Sequence, residues 1–259
     1  MNINTFNEEI FDDLNKMKLD PEMSDLTIQW LRKANTHRYS YHFNFLGRPI
    51  IQYPQDMIAV QELIWTVKPD LIIETGIAHG GSLILSAAGL ALLDLNEAVQ
   101  QGKTLDPLNS KRLVIGVDID IRELNRREIE NHFLFSRIKL VQGSSTDPKI
   151  INEVKELSKP FKTVMVLLDS NHTKEHVLNE LLAYTPLVSQ NSYCIVFDTV
   201  IEDLPDENWV NRSWGVGNNP KNAVHEFLKF NSNFEIDKDF QNKLQITVAP
   251  DGFLKRKYL

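Results

Sequence analysis

A chain of 259 residues, 42% hydrophobic and 24% charged, has the composition of an ordinary folded protein with a sizeable core, and this excludes disorder as the default. The formal charge of −7 speaks against a protein that holds nucleic acid by its net field, and the basic run Arg122, Arg126, Arg127 reads as a solvated helix surface. A single cysteine, Cys194, excludes an intramolecular disulfide framework and a thiolate zinc cluster; within Tyr193–Phe197 it reads as a packing residue of a buried strand in a reducing, cytoplasmic setting.

Residues 1–50 are polar and aromatic, with Trp30, Tyr39, Tyr41, Phe43 and Phe45 but no long period. They predict short helices and a loop, an extension or lid ahead of one catalytic domain over 51–259. The first residues lack a basic and then apolar run, so no secretory signal is expected, and no apolar run reaches the roughly 18 residues needed to span a bilayer. From Asp56 to Val67 the apolar residues recur at helical spacing, and Pro69 closes the segment. Leu71-Ile-Ile73 then predicts a strand, Glu74-Thr-Gly-Ile-Ala-His-Gly-Gly-Ser82 a glycine-rich turn, and Leu83 to Leu93 an apolar helix. The polar stretch Asp94 to Ser110 reads as a surface insertion.

Four more apolar runs follow: Leu113–Val117, Ile138–Val141, Val164–Leu168 and Tyr193–Phe197. Helical patterns over Arg122 to Asn131, Lys149 to Leu157 and Lys174 to Leu187 separate most of them. Strands apolar on both faces, alternating with helices, predict an α/β fold with a doubly wound, mostly parallel sheet. Beyond Asp198, Asn219 is placed to cap a helix from Pro220, and Phe234–Ile236 and Leu244–Val248 read as two short strands completing an antiparallel edge.

In open α/β sheets ligands sit outside the carboxyl ends of the strands, where this chain carries Glu74, Asp118, Ser144, Asp169 and Asp198, one per strand. The first turn is neither a Walker loop nor a G-x-G-x-x-G fingerprint, although Gly76, Gly80 and Gly81 let backbone approach a ligand. Glu74 beside that turn would repel a pyrophosphate yet accept from a cationic or hydroxyl-bearing ligand, and S-adenosylmethionine is both. Asp118 is placed for ribose hydroxyls, and Gly143-Ser-Ser145 for the adenine edge, though a helix cap and a plain turn are the alternatives. Asp169 and Asp198 end neighbouring strands and can converge on a hard cation such as Mg²⁺, with His172 as general base. His176, one turn beyond His172, makes a zinc pair conceivable, but no zincin spacing accompanies it.

Together Gly47-Arg-Pro, Tyr53-Pro-Gln-Asp56, Lys68–Gly76, His79-Gly-Gly-Ser82, Val117-Asp118, Gly143-Ser144, Leu168-Asp-Ser-Asn-His172 and Phe197-Asp-Thr199 resemble the cephalosporin hydroxylase family, over roughly Phe45 to Val248. That family also holds rhamnosyl and macrolide-sugar O-methyltransferases and is related to the catechol O-methyltransferase fold. The resemblance implies a Rossmann-like methyltransferase sheet and a metal-dependent O-methyltransferase, moving a methyl group from S-adenosylmethionine to a hydroxyl. A sugar in an activated or polymer-linked carbohydrate is the first choice of acceptor, and a polyketide or phenolic hydroxyl the second. It implies a cofactor pocket from Glu74, Gly76, His79, Gly80, Ser82, Asp118, Ser144 and Asp169, catalysis by His172 and Asp169, and a Mg²⁺ site from Asp169 and Asp198. Where relatives often carry Glu-Asp, this chain has Phe197-Asp198, and Thr199 or water would fill the missing ligand's place. Trp209 to Pro220 and the aromatic N-terminal segment would form the lid; a homo-oligomer acting on a small molecule or carbohydrate, without nucleic acid, is expected. The rivals are an iron oxygenase, for which no two-histidine, one-carboxylate set stands out, and a non-catalytic partner subunit.

Overall fold

The computed structural model describes residues 3–205 and 210–258. Helices α1 (Ile3–Lys18) and α2 (Pro21–Thr36) open the chain; Asp20 caps α2 by accepting from the backbone N–H groups of Glu22 at 2.9 Å and Met23 at 3.2 Å. These are two full helices where short pieces were expected. A hairpin of β1 (Phe43–Phe45) and β2 (Arg48–Ile50) follows, then α3 (Pro54–Val67) and the alternating body of the fold. That body comprises β3 (Leu71–Thr75), α4 (Gly81–Gln101), β4 (Leu113–Asp118), α5 (Glu123–Glu130), β5 (Ile138–Gln142), α6 (Pro148–Ser158), β6 (Val164–Leu168), α7 (Lys174–Tyr184) and β7 (Tyr193–Val196). It closes with α8 (Pro220–Phe230), β8 (Phe234–Ile236), α9 (Lys238–Leu244) and β9 (Phe253–Arg256).

The seven-stranded sheet runs β5-β4-β3-β6-β7-β9-β8, parallel through β7, with β9 and β8 antiparallel at the edge. The order reverses between β3 and β6, the switch point at which such sheets open a crevice. Side chains alternate across the sheet: Leu71 and Ile73 pack with Val154, Leu181 and Phe227 of α6, α7 and α8, whereas Ile72 packs with Leu63, Leu83 and Ile129 of α3, α4 and α5. Both faces of the sheet are therefore covered, as the apolar strand sequences require.

Three expectations are corrected. The predicted strand Leu244–Val248 is instead the end of α9 and a loop, because Asp237 accepts from Asp239 N–H and starts a helix, and Phe253–Arg256 fills the slot beside β7. The helix predicted to end at Leu93 runs on to Gln101, so the supposed insertion is half helix. By length and apolar composition α4 could cross a bilayer; here Leu83, Ile84, Ala87, Leu90 and Leu93 are buried in the core beneath α3.

Asp94, placed by sequence at the start of a polar surface stretch, is in fact the centre of a buried ion cluster. It pairs with Arg112 and Arg137, whose side chains are 8% and 2% exposed, and accepts from Ser110 at 2.7 Å. Burial raises the Asp94 pKa, but hydrogen bonds from Ser110, Arg137 and Arg112 outweigh it and hold the carboxyl below its usual range. Asp94→Ala leaves two guanidinium groups in the interior without this partner, and a stability loss of about 3–5 kcal/mol is expected in chemical denaturation.

Asp56 is fully buried at the start of α3 and accepts from Thr247 Oγ1 and, at 3.0 Å, from Val248 N–H, so it ties α3 to the loop before β9. Burial, offset only partly by these bonds, pushes its pKa from 3.8 up to about 7. A carboxyl with a raised folded pKa binds its proton more tightly in the native state, so its contribution is most favourable below pH 3.8 and declines as pH rises towards about 7. In Asp56→Asn the thermal melting temperature should accordingly fall less between those pH values than in the parent chain.

Candidate active site

The parallel register sets Thr75 level with Val117 of β4 and Leu168 of β6, so the residues that follow each strand meet at one height. Gly76 N–H donates to Val117 O at 2.8 Å, and Asp169 N–H to Thr75 O at 2.9 Å. Gly76 has φ +88°, and a Cβ there would lie 2.0 Å from Asp169 O, so only glycine fits this crossing. Two cavities open on either side of it and share Gly76 and Ser170. One, of about 210 Å³, is bordered by Gln52, His79, Gly81, Ser82, Asp169, His172 and Asp198. The other, of about 180 Å³, is bordered by Asp118, Ile119, Ser144, Ser145, Asn171 and His176.

Asp118 does more than line the second cavity. Its Oδ2 accepts from Ile77 N–H at 2.8 Å and Ala78 N–H at 3.3 Å, and its Oδ1 from Asp120 N–H at 3.0 Å, so it also fixes the glycine-rich turn. An ionised carboxylate has about four acceptor positions, which leaves room for a further hydroxyl. Ser144 borders the same space, its Oγ 3.1 Å from Thr146 Oγ1. Glu74 reaches neither cavity: it is 1% exposed beneath the turn, accepts from Ser82 Oγ, and its Oε2 has no partner. Burial pushes its pKa up to about 8. The glycine at position 80 also stands back, since its φ of +84° and the closeness of Ile129 make it a turn residue ahead of α4. His79 borders the first cavity, while its carbonyl accepts from Arg48 Nη2 at 2.7 Å; Arg48 thus pins the turn under β2.

Asp169, His172 and Asp198 do come together, each offering a ligand atom within 4.8 Å of the others. His172 Nε2 lies 3.2 Å from Asp198 Oδ2, and the edge of its ring meets Trp214 with centroids 4.8 Å apart. Asp198 reaches this position in a left-handed conformation, φ 57°, directly after the buried Phe197. Burial holds the Asp169 carboxyl well above the carboxylate range, and the charges of Asp198, Glu74, Glu180 and Asp56 push it further. Thr199, expected as a third ligand, is turned away: it is fully buried and its hydroxyl donates to Pro250 O at 2.6 Å. Trp209 of the expected lid lies outside the described residues.

Ser170 and Glu180 carry little sequence signal, and His176 pairs with them rather than with His172. Ser170 Oγ donates to the buried Glu180 at 2.6 Å, and His176 Nε2 sits 3.0 Å from Ser145 Oγ and 3.2 Å from Ser170 Oγ, a polar network at the base of the second cavity. The i, i+4 spacing of His176 and Glu180 on α7 was the available clue. Beside His172 and Asp198 a third cavity, of about 120 Å³, is walled by Tyr41, Tyr53, Trp214 and Arg212. Its aromatic residues come from segments far apart in the chain: the sequence marks the N-terminal aromatics and the stretch with Trp214 as lid segments, but not that they share one wall.

A family model described as Rhamnosyl O-methyltransferase/CmcI matches residues 37–257. The chain is 30% identical over 203 residues to a rhamnosyl O-methyltransferase of Mycobacterium tuberculosis (strain ATCC 25618 / H37Rv), covering 78% of this chain and 73% of that one. With the rhamnosyl O-methyltransferase of Mycobacterium leprae (strain TN) it shares 27% identity over 233 residues, 86% of this chain and 90% of the other. In fold it is similar to a solved CmcI chain described with Mg and SAM, with a TM-score of 0.54 at 17% identity over 84% of this chain and 78% of that one. A strand order reversing at β3 and β6, an acidic cluster over the switch point and a family match across most of its length agree: this chain belongs to the Rhamnosyl O-methyltransferase/CmcI family.

Proposed function

We propose that this S-adenosylmethionine-dependent O-methyltransferase acts on a sugar hydroxyl, with Asp169 and Asp198 holding a divalent cation and His172 as general base. The observation that carries the reading is the convergence of Asp169, His172 and Asp198 within 4.8 Å at the edge of a cavity that also touches the glycine-rich turn. The names of the mycobacterial relatives support the sugar acceptor.

The residues fit a cation of this kind. The two carboxylates form a hard oxygen donor set suited to Mg²⁺ with water completing the shell, and the imidazole beside them is left free to act as base. Asp169 is held in poorly solvated surroundings with Asp198 beside it, a repulsion that a bound cation offsets. When bound, the cation would lower the pKa of an acceptor hydroxyl, and the donor would supply an electrophilic methyl on sulfur. The chain's own part is positional. Asp118, Ser144 and Gly76 would seat the nucleoside; Tyr41, Tyr53 and Trp214 offer rings to the apolar face of a sugar, and Arg212 a donor to its oxygens. His172 borders both the first and the third cavities, with Asp198 at 3.2 Å, and its imidazole would take the hydroxyl proton. Tyr41 and the 210–220 loop would close over the bound acceptor.

His172→Ala is expected to lower kcat by about 10²–10⁴-fold while leaving the affinity for S-adenosylmethionine, read by calorimetry, nearly unchanged. An unaltered kcat would remove His172 from the reaction. Chelation by EDTA should depress turnover of the parent enzyme by about 100-fold or more, with recovery on adding Mg²⁺. Full activity in EDTA would refute the cation site, and turnover of phenols but of no glycoside or nucleotide sugar would refute the acceptor.

A further inference from the structure

Gln52 lies two residues beyond the end of β2, and it is only 3% exposed. Its Oε1 is buried without a hydrogen-bond partner. A buried amide oxygen left unpaired is unfavourable, and folded proteins retain such atoms where something else supplies the donor. Gln52 borders the first cavity, together with Asp169, Gly81 and Ser82.

We propose that Gln52 is the residue that recognises the amino-acid end of the methyl donor, its Oε1 accepting from the α-ammonium group. The proposal rests on the donor assigned above. A nucleoside seated against Asp118 and Ser144 must cross Gly76 to reach His172, because Gly76 and Ser170 are common to both cavities. The amino-acid tail then lies in the first cavity. It carries one cation and one anion, and the walls there offer partners for both. Gly81 and Ser82 are the first residues of the 21-residue helix α4, whose opening turn has no acidic side chain; its free N–H groups and dipole favour the carboxylate. Gln52 and Asp169 provide the acceptors for the ammonium. A neutral amide suits this place because another carboxylate would add to the repulsion already present between Asp169 and Asp198. The hairpin that delivers Gln52 is fastened to the turn by Arg48, which donates to His79 O through Nε at 3.0 Å and Nη2 at 2.7 Å. Pro49 O approaches so closely that a Cβ on Gly81 would lie 2.3 Å away.

The test compares three nucleosides by calorimetry on the full chain: S-adenosylmethionine, S-adenosylhomocysteine and 5′-methylthioadenosine, the last lacking the amino-acid tail. Gln52→Met, which keeps length and packing, is expected to raise Kd for the first two by about 10–100-fold and to leave Kd for 5′-methylthioadenosine nearly unchanged. Should that variant fail to fold, Gln52→Asn withdraws the acceptor by one methylene and should show the same selective loss. Equal weakening of all three ligands would mark Gln52 as structural and overturn the proposal, as would unaltered affinity for S-adenosylhomocysteine. A parent chain that binds none of the three would instead overturn the donor assignment itself.

Discussion

The site depends on one steric crossing. At Gly76 the chain leaving β3 passes the carbonyl of Asp169 leaving β6 with no space for a side chain. The two strands are neighbours in register, so the turn over α4 and the segment carrying His172 are held at a fixed separation before any ligand arrives. The pair of cavities on either side is a consequence of that contact. Any larger residue at position 76 would push apart the wall that both share.

Around this crossing the protein gathers carboxyl groups where solvent is scarce. Asp56, Glu74 and Asp169 are all displaced upward from their ordinary pKa values, chiefly by burial, and each lies close enough to another carboxylate for repulsion to add to the shift. Such a concentration is unfavourable for folding alone and is typical of functional sites. The other two members make hydrogen bonds that do structural service and only partly offset burial: Asp56 holds the loop before β9, and Glu74 holds Ser82 at the head of α4. Asp169, in contrast, faces open cavity.

The N-terminal segment belongs to the site as much as the sheet does. Trp30, Tyr39, Phe43 and Tyr53 interlock edge to face with centroids 5.0–5.8 Å apart, which seats α2 against the hairpin and the entry to α3. Through Arg48 that assembly grips the glycine-rich turn, and through Gln52, Tyr41 and Tyr53 it walls the first and third cavities.

The sequence by itself determined the sheet, because strands buried on both faces must be apolar throughout and helices between them must be amphipathic; the runs ending at Glu74, Asp118, Asp169 and Asp198 were legible for that reason. It also determined that Asp169, His172 and Asp198 stand at neighbouring strand ends, since parallel α/β connections bring those ends to one edge. Only the tertiary structure decided what each polar group faces. Thr199 is one residue from Asp198, yet the left-handed backbone at Asp198 turns it into the core to meet Pro250. Glu74 lies under the turn rather than in the cavity, and Asp94 is buried by Arg112 and Arg137, which follow it by 18 and 43 residues. Gln52, with nothing local to mark it, became significant through burial beside groups supplied by β3, β6 and α4. Periodicity records which face of an element is apolar; the partner of a polar atom is fixed by contacts distant in sequence, and these exist only once the layers have packed.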